Sequence, residues 1–220
     1  MLVAEELVLL VFDDTSGKRD GRLGNLDVML AGAVLAELAL RGRVELLGEG
    51  TGRLVVVNKG PTGSPVLDDA VTRLATLDQP IPQDAVNSLA WRGLMEPLLA
   101  GLADRGVLRR EQRRVLGVFP ATRWPVEDDR HEQDVLRSLG DVLIDGAEPD
   151  DRTAVLVGVL SAADAVMKVL EFPPGTDLRA VRARCDEIAA GEWASDAVRR
   201  AIASISAGVA AVFVATTAGS

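Results

Sequence analysis

The chain has 220 residues, of which 48% are hydrophobic and 26% charged, a balance typical of a globular protein with a substantial core. The formal net charge of −9 argues against general nucleic-acid binding, and the single cysteine, Cys185, excludes an internal disulfide and fits a reducing compartment. Aromatic residues make up only 3%, so the core must be aliphatic and rich in alanine, which favours closely packed helices.

The elements predicted along the chain are mostly helices. Helical spacing of apolar residues predicts helices over 2–11, 26–40, 65–76, 84–104, 127–144, 153–170, 178–190 and 195–216. Short apolar runs around glycines predict a hairpin of strands 43–47 and 53–58, and a second hairpin or extended arm over 107–118. No shift in composition divides the chain. We therefore expect a mainly α fold, one compact helical-bundle domain over 1–220 with one or two peripheral β-hairpins.

Some boundaries depend on single residues. Pro97 is expected to bend or restart the helix over 84–104, and Asp151 is expected to cap the helix that follows it. The uncharged segment 201–220 has the length of a membrane span. Its larger apolar residues fall on one broad helical face among small residues, which favours a buried helix over a tail anchor. The first residues lack the basic region of a signal peptide.

Two segments of the chain share one pattern, an apolar helix that ends in Arg-Gly and continues into Val or Leu. They lie at residues 35–44 and 98–108. Gly42 and Gly106 suit the position just past a helix, where a positive φ costs glycine nothing. Arg41 and Arg105 fall in the last turn, where a cation meets the negative end of the helix dipole. The sequence therefore predicts two similar helix-to-strand corners.

Cations are concentrated between residues 105 and 123, where six arginines and one glutamate leave a local charge of +5. Arg109, Arg110, Arg113 and Arg114 precede a short apolar run over 115–119. Cations beside exposed apolar residues suit interfacial membrane binding, since each basic residue near an anionic surface contributes about 1 kcal/mol. A protein interface, or a solvated edge hairpin whose arginines discourage strand aggregation, explains the same pattern equally well.

Candidate catalytic residues are few. His131 is the only histidine and has no cysteine nearby, so a histidine-based zinc site is nearly excluded. Cys185 follows two arginines, Arg182 and Arg184, that could lower its pKa, but no base with an orienting partner accompanies it. Dinucleotide, P-loop and calcium-loop patterns are absent from the sequence. We expect core or hairpin packing, rather than ligand stacking, for Trp91, Trp124 and Trp193. We expect no enzyme, no metal and no cofactor.

The segments 35–44 and 98–108, with 5–10 before them and 115–125 after them, resemble the Golgi phosphoprotein 3 family. More narrowly, they are similar to its bacterial, actinobacterial-type members, and the resemblance runs from about Leu2 to Ala218. It implies a mostly helical peripheral membrane protein that binds phosphoinositide headgroups. Eukaryotic members of the family recognise phosphatidylinositol 4-phosphate and hold glycosyltransferases in the Golgi.

The resemblance also implies site residues. The family's headgroup pocket has a tryptophan and an arginine near the second helix and two arginines on a later helix. On this chain those positions are Arg22, Ala31, Arg92 and Met95. Arg92 keeps the family's residue, and Arg22 with Arg19 and Lys18 would supply cations for a phosphate. The family's membrane-inserting hairpin residues align with Val115 and Leu116, which are both apolar.

The sequence therefore predicts a non-enzymatic, cytoplasmic protein peripherally associated with a membrane. Arg92 and the 18–22 loop would bind an anionic phospholipid headgroup, similar to phosphatidylinositol 4-phosphate. The bilayer contacts would come from Arg109, Arg110, Arg113, Arg114, Val115 and Leu116. The alternative is a soluble adaptor or self-associating scaffold, in which the 107–119 hairpin is a protein interface or a homo-oligomer contact.

Overall fold

A computed structural model describes residues 1–13, 18–19, 25–47, 52–91, 93–115, 119–190 and 196–218. The fold is mainly α and compact, as predicted. The helices of the described chain are α1 (Val3–Val11), α2 (Leu26–Leu40), α3 (Pro65–Leu74), α4 (Pro82–Leu89), α5 (Met95–Asp104), α6 (Arg130–Leu143), α7 (Asp151–Ala162), α8 (Val166–Val169), α9 (Leu178–Ala190) and α10 (Asp196–Ala218).

The described strands pair as three antiparallel two-stranded hairpins. These are β1 (Phe12–Asp13) with β2 (Lys18–Arg19), β3 (Val44–Leu47) with β4 (Arg53–Val56), and β5 (Glu111–Val115) with β6 (Phe119–Arg123). The second and third hairpins were predicted from their apolar runs. The small β1–β2 ladder falls in a segment whose charges and glycines predicted only a turn.

Helix α2 forms the centre of the core. Its residues from Val28 to Leu38 are all buried, which is typical of a helix that other elements surround. Helices α1, α4, α7 and α10 pack around it. A Cβ atom placed on Gly32 would overlap the side chain of Val209, so α2 and α10 approach more closely than any larger residue would allow. The scarcity of aromatic residues is consistent with this close packing.

The two Arg-Gly corners adopt the same backbone geometry. Gly42 has φ 60° and Gly106 has φ 74°, in the left-handed region. Beyond each glycine, an N–H returns to the helix: Arg43 donates to the Leu38 carbonyl at 2.8 Å, and Val107 donates to the Leu102 carbonyl at 3.0 Å. This is the bond pattern of a Schellman cap, which satisfies carbonyls that the helix leaves open. The predicted corners are confirmed.

The long helix predicted over 84–104 is wrong as a single element. The structure has α4 and α5 instead, separated by residues 90–94. Pro97 does not mark the break but lies in the first turn of α5, where the absence of its N–H costs no hydrogen bond. The helix predicted over 153–170 is also divided, because Asp164 takes a φ of 48° between α7 and α8.

The cap of α7 is one residue earlier than predicted. The side chain of Asp150, rather than that of Asp151, accepts a hydrogen bond of 2.7 Å from the Thr153 N–H. This satisfies one of the open N–H groups at the start of the helix.

The last helix is packed into the core, as its apolar face predicted. Ile205, Val209 and Val212 of α10 are buried, and the helix packs on α4 and α2. No helix within the described ranges is both long enough and apolar enough to cross a bilayer.

Candidate lipid-binding site

Two polar contacts show how α1, α2 and α5 run relative to one another. The Val3 N–H donates to Oε2 of Glu37 at 2.9 Å, so the start of α1 lies beside the end of α2. Glu5 of α1 pairs with Arg105, just past the end of α5, at 2.7 Å. Because α1 packs along both helices, it is antiparallel to each. The end of α1 and the starts of α2 and α5 therefore share one end of the helical body.

We call that end the hairpin end, because the β5–β6 hairpin leaves the body there. Arg110, one residue before β5, pairs with Glu96 in the first turn of α5 at 3.1 Å. The Arg110 guanidinium carbon also lies 5.3 Å from the centroid of the Trp124 ring, which follows β6 and is buried. The base of the hairpin is thus held by one cation between a carboxylate and an indole.

The arginines between 105 and 123 are less available than their number suggests. Three of them have carboxylate partners: Arg105 with Glu5, Arg109 with Glu111 and Glu127, and Arg110 with Glu96. Arg123 also has an interaction partner. Three of the four named carboxylates come from outside this stretch of sequence. The predicted local charge of +5 is therefore largely offset in the fold.

Several predicted site residues lie outside the described part of the chain: Arg22, Arg92 and Leu116. Others belong to described strands although their side chains lie outside the described part: Lys18 and Arg19 in β2, and Arg113, Arg114 and Val115 in β5. Arg109 and Arg110 are described and about half exposed.

The neighbours of the undescribed residues are informative. Strand β1 follows directly from the end of α1, and β2 pairs with it, so positions 18 and 19 lie at the hairpin end. Asn25 begins α2 at the same end. Trp91 and Gly93, on either side of position 92, precede the start of α5 there. The structure thus places the described neighbours of the predicted headgroup residues at the end from which the hairpin leaves.

Comparison with known proteins identifies the family. The model of the family described as Golgi phosphoprotein 3 matches residues 3–205. The chain belongs to the Golgi phosphoprotein 3 family.

Two relatives are named vacuolar protein sorting-associated protein 74. The protein from Eremothecium gossypii is 28% identical over 165 residues, which cover 66% of this chain and 49% of that protein. The one from Schizosaccharomyces pombe is 24% identical over 163 residues, which cover 65% and 48%. The chain spans about half the length of the curated relatives it matches. The predicted family is confirmed, while its bacterial branch stays a prediction.

The opposite end of the helical body, which we call the ionic end, contains buried charge. Glu37 is 2% exposed and accepts hydrogen bonds from the Val3 N–H, from Arg41 Nε at 2.7 Å and from Arg152 at 3.2 Å. Arg152 also donates to Glu6 at 2.9 Å. Burial raises the pKa of Glu6, and the hydrogen bond and charge of Arg152 partly offset that rise. Here the carboxylates hold α1, α2 and α7 together.

The candidate nucleophile of the sequence is in an unreactive setting. Cys185 of α9 is buried, and desolvation raises the pKa of its thiol to about 11, the reverse of the lowering that its neighbouring arginines suggested. His131 is exposed at the start of α6 and lines a shallow cavity of about 200 Å³ with Glu6 and Arg152. Among the described side chains, no group of three or more His, Cys, Asp and Glu residues could hold a metal ion.

One cation at the hairpin end was missed by sequence reasoning. Arg73, in the last turn of α3, lies over the ring of Trp91, with its guanidinium carbon 4.1 Å from the ring centroid. Trp91 was interpreted only as a packing residue, and Trp193 lies outside the described part of the chain. Arg73 and Trp91 are far apart in sequence, so only the position of Trp91 next to Arg92 hinted at a role.

Proposed function

We propose that this member of the Golgi phosphoprotein 3 family is a non-enzymatic peripheral membrane protein. A single domain over 1–220 would bind anionic phospholipid headgroups, similar to phosphatidylinositol 4-phosphate, from the cytoplasmic side. The headgroup residues would be Lys18, Arg19, Arg22 and Arg92. Residues 109, 110 and 113–116 of the hairpin would contact the bilayer.

One observation carries this proposal: the segments that flank the headgroup residues end where the hairpin leaves the body. Trp91 and Gly93 lie beside the start of α5, and Glu96 in its first turn pairs with Arg110 at the hairpin base. A flat membrane can contact both groups of residues only if they lie at one end. The family membership also supports a phosphoinositide-binding function.

The paired arginines at the hairpin base are compatible with lipid binding. The Arg109 and Arg110 pairs involve side chains that are 58% and 52% exposed. Exposed ion pairs contribute about 0–1 kcal/mol, which is no more than the roughly 1 kcal/mol that a cation gains near an anionic membrane. The free energy of exchanging a carboxylate partner for a lipid phosphate is therefore close to zero. Each guanidinium group can bind two phosphate oxygens at once.

A second function is favoured by the hairpin itself. Within the described chain, β5 and β6 pair only with each other, so the hairpin has two outer edges. Open strand edges accept further strands from another molecule. The alternative proposal is a soluble adaptor or self-associating scaffold that uses the 107–119 hairpin as its protein interface.

Co-sedimentation with vesicles tests the first proposal. The vesicles contain phosphatidylcholine alone, phosphatidylcholine with phosphatidylserine, or phosphatidylcholine with phosphatidylinositol 4-phosphate, each at low and high salt. We expect binding to the anionic vesicles that weakens as salt rises, because salt screens the charge contribution. Absence of binding to both anionic mixtures, or binding whose strength does not change with salt concentration, would contradict the proposal.

A double substitution, Val115→Ser with Leu116→Ser, separates the two functions. If the hairpin inserts into the bilayer, the variant binds anionic vesicles more weakly because two apolar side chains are lost. If the hairpin is a protein interface, the mass in solution measured by light scattering changes instead, and neither the parent nor the variant binds vesicles.

A further inference from the structure

Arg73 is a cation at the hairpin end that is not among the residues predicted to bind lipid, and two neighbours orient its side chain. Helix α3 begins at the ionic end, where Ser64 and Pro65 line a cavity of about 390 Å³ with Met1 and Arg41. It runs toward the hairpin end, where Arg73 in its last turn contacts Trp91. Arg73 therefore lies beside the linker that contains Arg92.

The guanidinium of Arg73 is held on two sides. Its Nε donates to Oδ2 of Asp69, one helical turn earlier, at 2.7 Å. Its carbon lies 4.1 Å from the centroid of the Trp91 ring. Within the described residues, this is the only hydrogen bond of the side chain, so both terminal nitrogens keep their donors. The side chain as a whole is 40% exposed, so part of it is in contact with solvent.

A guanidinium held in this way suits a phosphate. Two N–H groups of one guanidinium match two oxygens of a phosphate, and an orientation that exists before binding reduces the entropy lost on binding. The indole beneath it belongs to a residue type that favours the membrane–water interface. These features coincide at the end that the proposed function directs to the membrane.

We propose that Arg73, oriented by Trp91 and Asp69, is a further phosphate-binding residue for an anionic phospholipid in a bilayer. This inference rests on the proposed lipid-binding function and adds a residue to its site. Arg73 contacts the phosphate, whereas Trp91 acts as a positioning residue through Arg73.

The test compares Arg73→Gln with a matched control, Arg137→Gln. Arg137 pairs with Asp134 at 2.7 Å, as Arg73 pairs with Asp69. It lies on α6, and Asp134 lines the cavity with Met1 at the ionic end. Both variants change the net charge equally. On phosphatidylserine and phosphatidylinositol 4-phosphate vesicles, we expect about five-fold weaker binding for Arg73→Gln, the effect of one cation at the surface, and no change for Arg137→Gln.

Two further variants test orientation. Arg73→Lys keeps the charge but lacks the planar group, so we expect it to recover only part of the lost binding. Trp91→Leu keeps Arg73 but removes its support, and we expect binding to weaken roughly two- to five-fold, the range of a cation–π contact. Thermal unfolding of every variant checks that the fold is retained, and the exposed Arg73 variants remain informative if Trp91→Leu is unstable.

The outcomes separate this inference from the proposed function. If the parent protein binds anionic vesicles and Arg73→Gln binds as well as Arg137→Gln, the inference is wrong and the lipid-binding function stands. Complete recovery by Arg73→Lys would overturn the oriented contact. If the parent binds no vesicle, both proposals fail, even if calorimetry with inorganic phosphate detects Arg73-dependent binding of the free anion.

Discussion

Arg152 is the residue on which the ionic end depends most. Its guanidinium donates to the Met1 carbonyl at 2.7 Å, to Glu6 at 2.9 Å and to Glu37 at 3.2 Å. It thereby joins the start of α1, the end of α2 and the start of α7. We predict that Arg152→Leu, which keeps much of the apolar stem, lowers the stability of the protein substantially.

The magnitude follows from the burial of the groups that remain. Removing one partner of a buried ion pair costs about 3–5 kcal/mol, because the other charge stays buried without compensation. Glu37 is 2% exposed, but it keeps Arg41 and the Val3 N–H, and Arg152 itself is 36% exposed. Both facts reduce the loss, so we expect the free energy of unfolding to fall by about 2–3 kcal/mol.

Urea unfolding followed by circular dichroism measures this loss, with Arg137→Leu as the control. The Arg137–Asp134 pair, at 2.7 Å, is shorter than either ion pair of Arg152, but both of its side chains are about two-thirds exposed. An exposed pair contributes about 0–1 kcal/mol, so the control should unfold at nearly the parental urea concentration. Equal losses for the two variants would refute the conclusion that burial makes the Arg152 contacts important.

The deficit of Arg152→Leu should also depend on pH. Burial raises the pKa of Glu6 above its ordinary value of 4.5, and Arg152 opposes that rise. A raised carboxyl pKa means that the folded state is favoured when the group is protonated and is disfavoured as pH rises through the folded-state pKa. Without Arg152 the pKa of Glu6 rises further. The loss of unfolding free energy in Arg152→Leu is therefore largest near neutral pH and becomes smaller as pH falls toward 4.5. A loss that does not vary with pH would contradict the role assigned to Glu6.

The remaining predictions concern packing and reactivity. Gly32→Ala should destabilise the protein by about 1–3 kcal/mol in urea unfolding, because the new methyl group overlaps α10. Gly140→Ala, with no atom near its new methyl group, should instead stabilise α6 by about 0.5–1 kcal/mol, and losses in both variants would show that the close contact is not the cause. Cys185 should react slowly with iodoacetamide at pH 8 in the folded protein and quickly in urea, since burial raises its pKa to about 11. Fast labelling of Cys185 without urea would contradict the conclusion that its thiol is buried in the folded protein.

The local patterns of the sequence predict elements better than they predict interruptions. Helix α2 begins and ends where its apolar spacing and Gly42 indicate. By contrast, the break between α7 and α8 depends on Asp164 in a left-handed conformation, which aspartate adopts only occasionally, so its presence does not predict a break. The break before α5 was assigned to Pro97, although a proline fits the first turn of a helix without strain.

The candidate site was less predictable than the fold, because its charges are paired over long distances in sequence. Arg105 pairs with Glu5, and Glu37 pairs with Arg152. A count of charges along the chain cannot include such partners, so it overestimated the positive charge near the hairpin. The stacking of Arg73 on Trp91 is equally invisible in sequence, because it requires the end of α3 to meet the linker before α5.

The separation of the two ends would allow an acidic protein to bind an anionic membrane, as we propose for this chain. Helix α5 has ten residues and is about 15 Å long, and it separates the Arg105–Glu5 pair from the hairpin base. Screening by physiological salt acts over about 8 Å, so carboxylates at the ionic end contribute little to the potential at the hairpin end. Glu5 and Glu37 are moreover compensated by arginines. A membrane would therefore interact mainly with the local charge at the hairpin end, where Arg73, Arg109 and Arg110 lie. The net charge of −9 is a poor guide to that local charge.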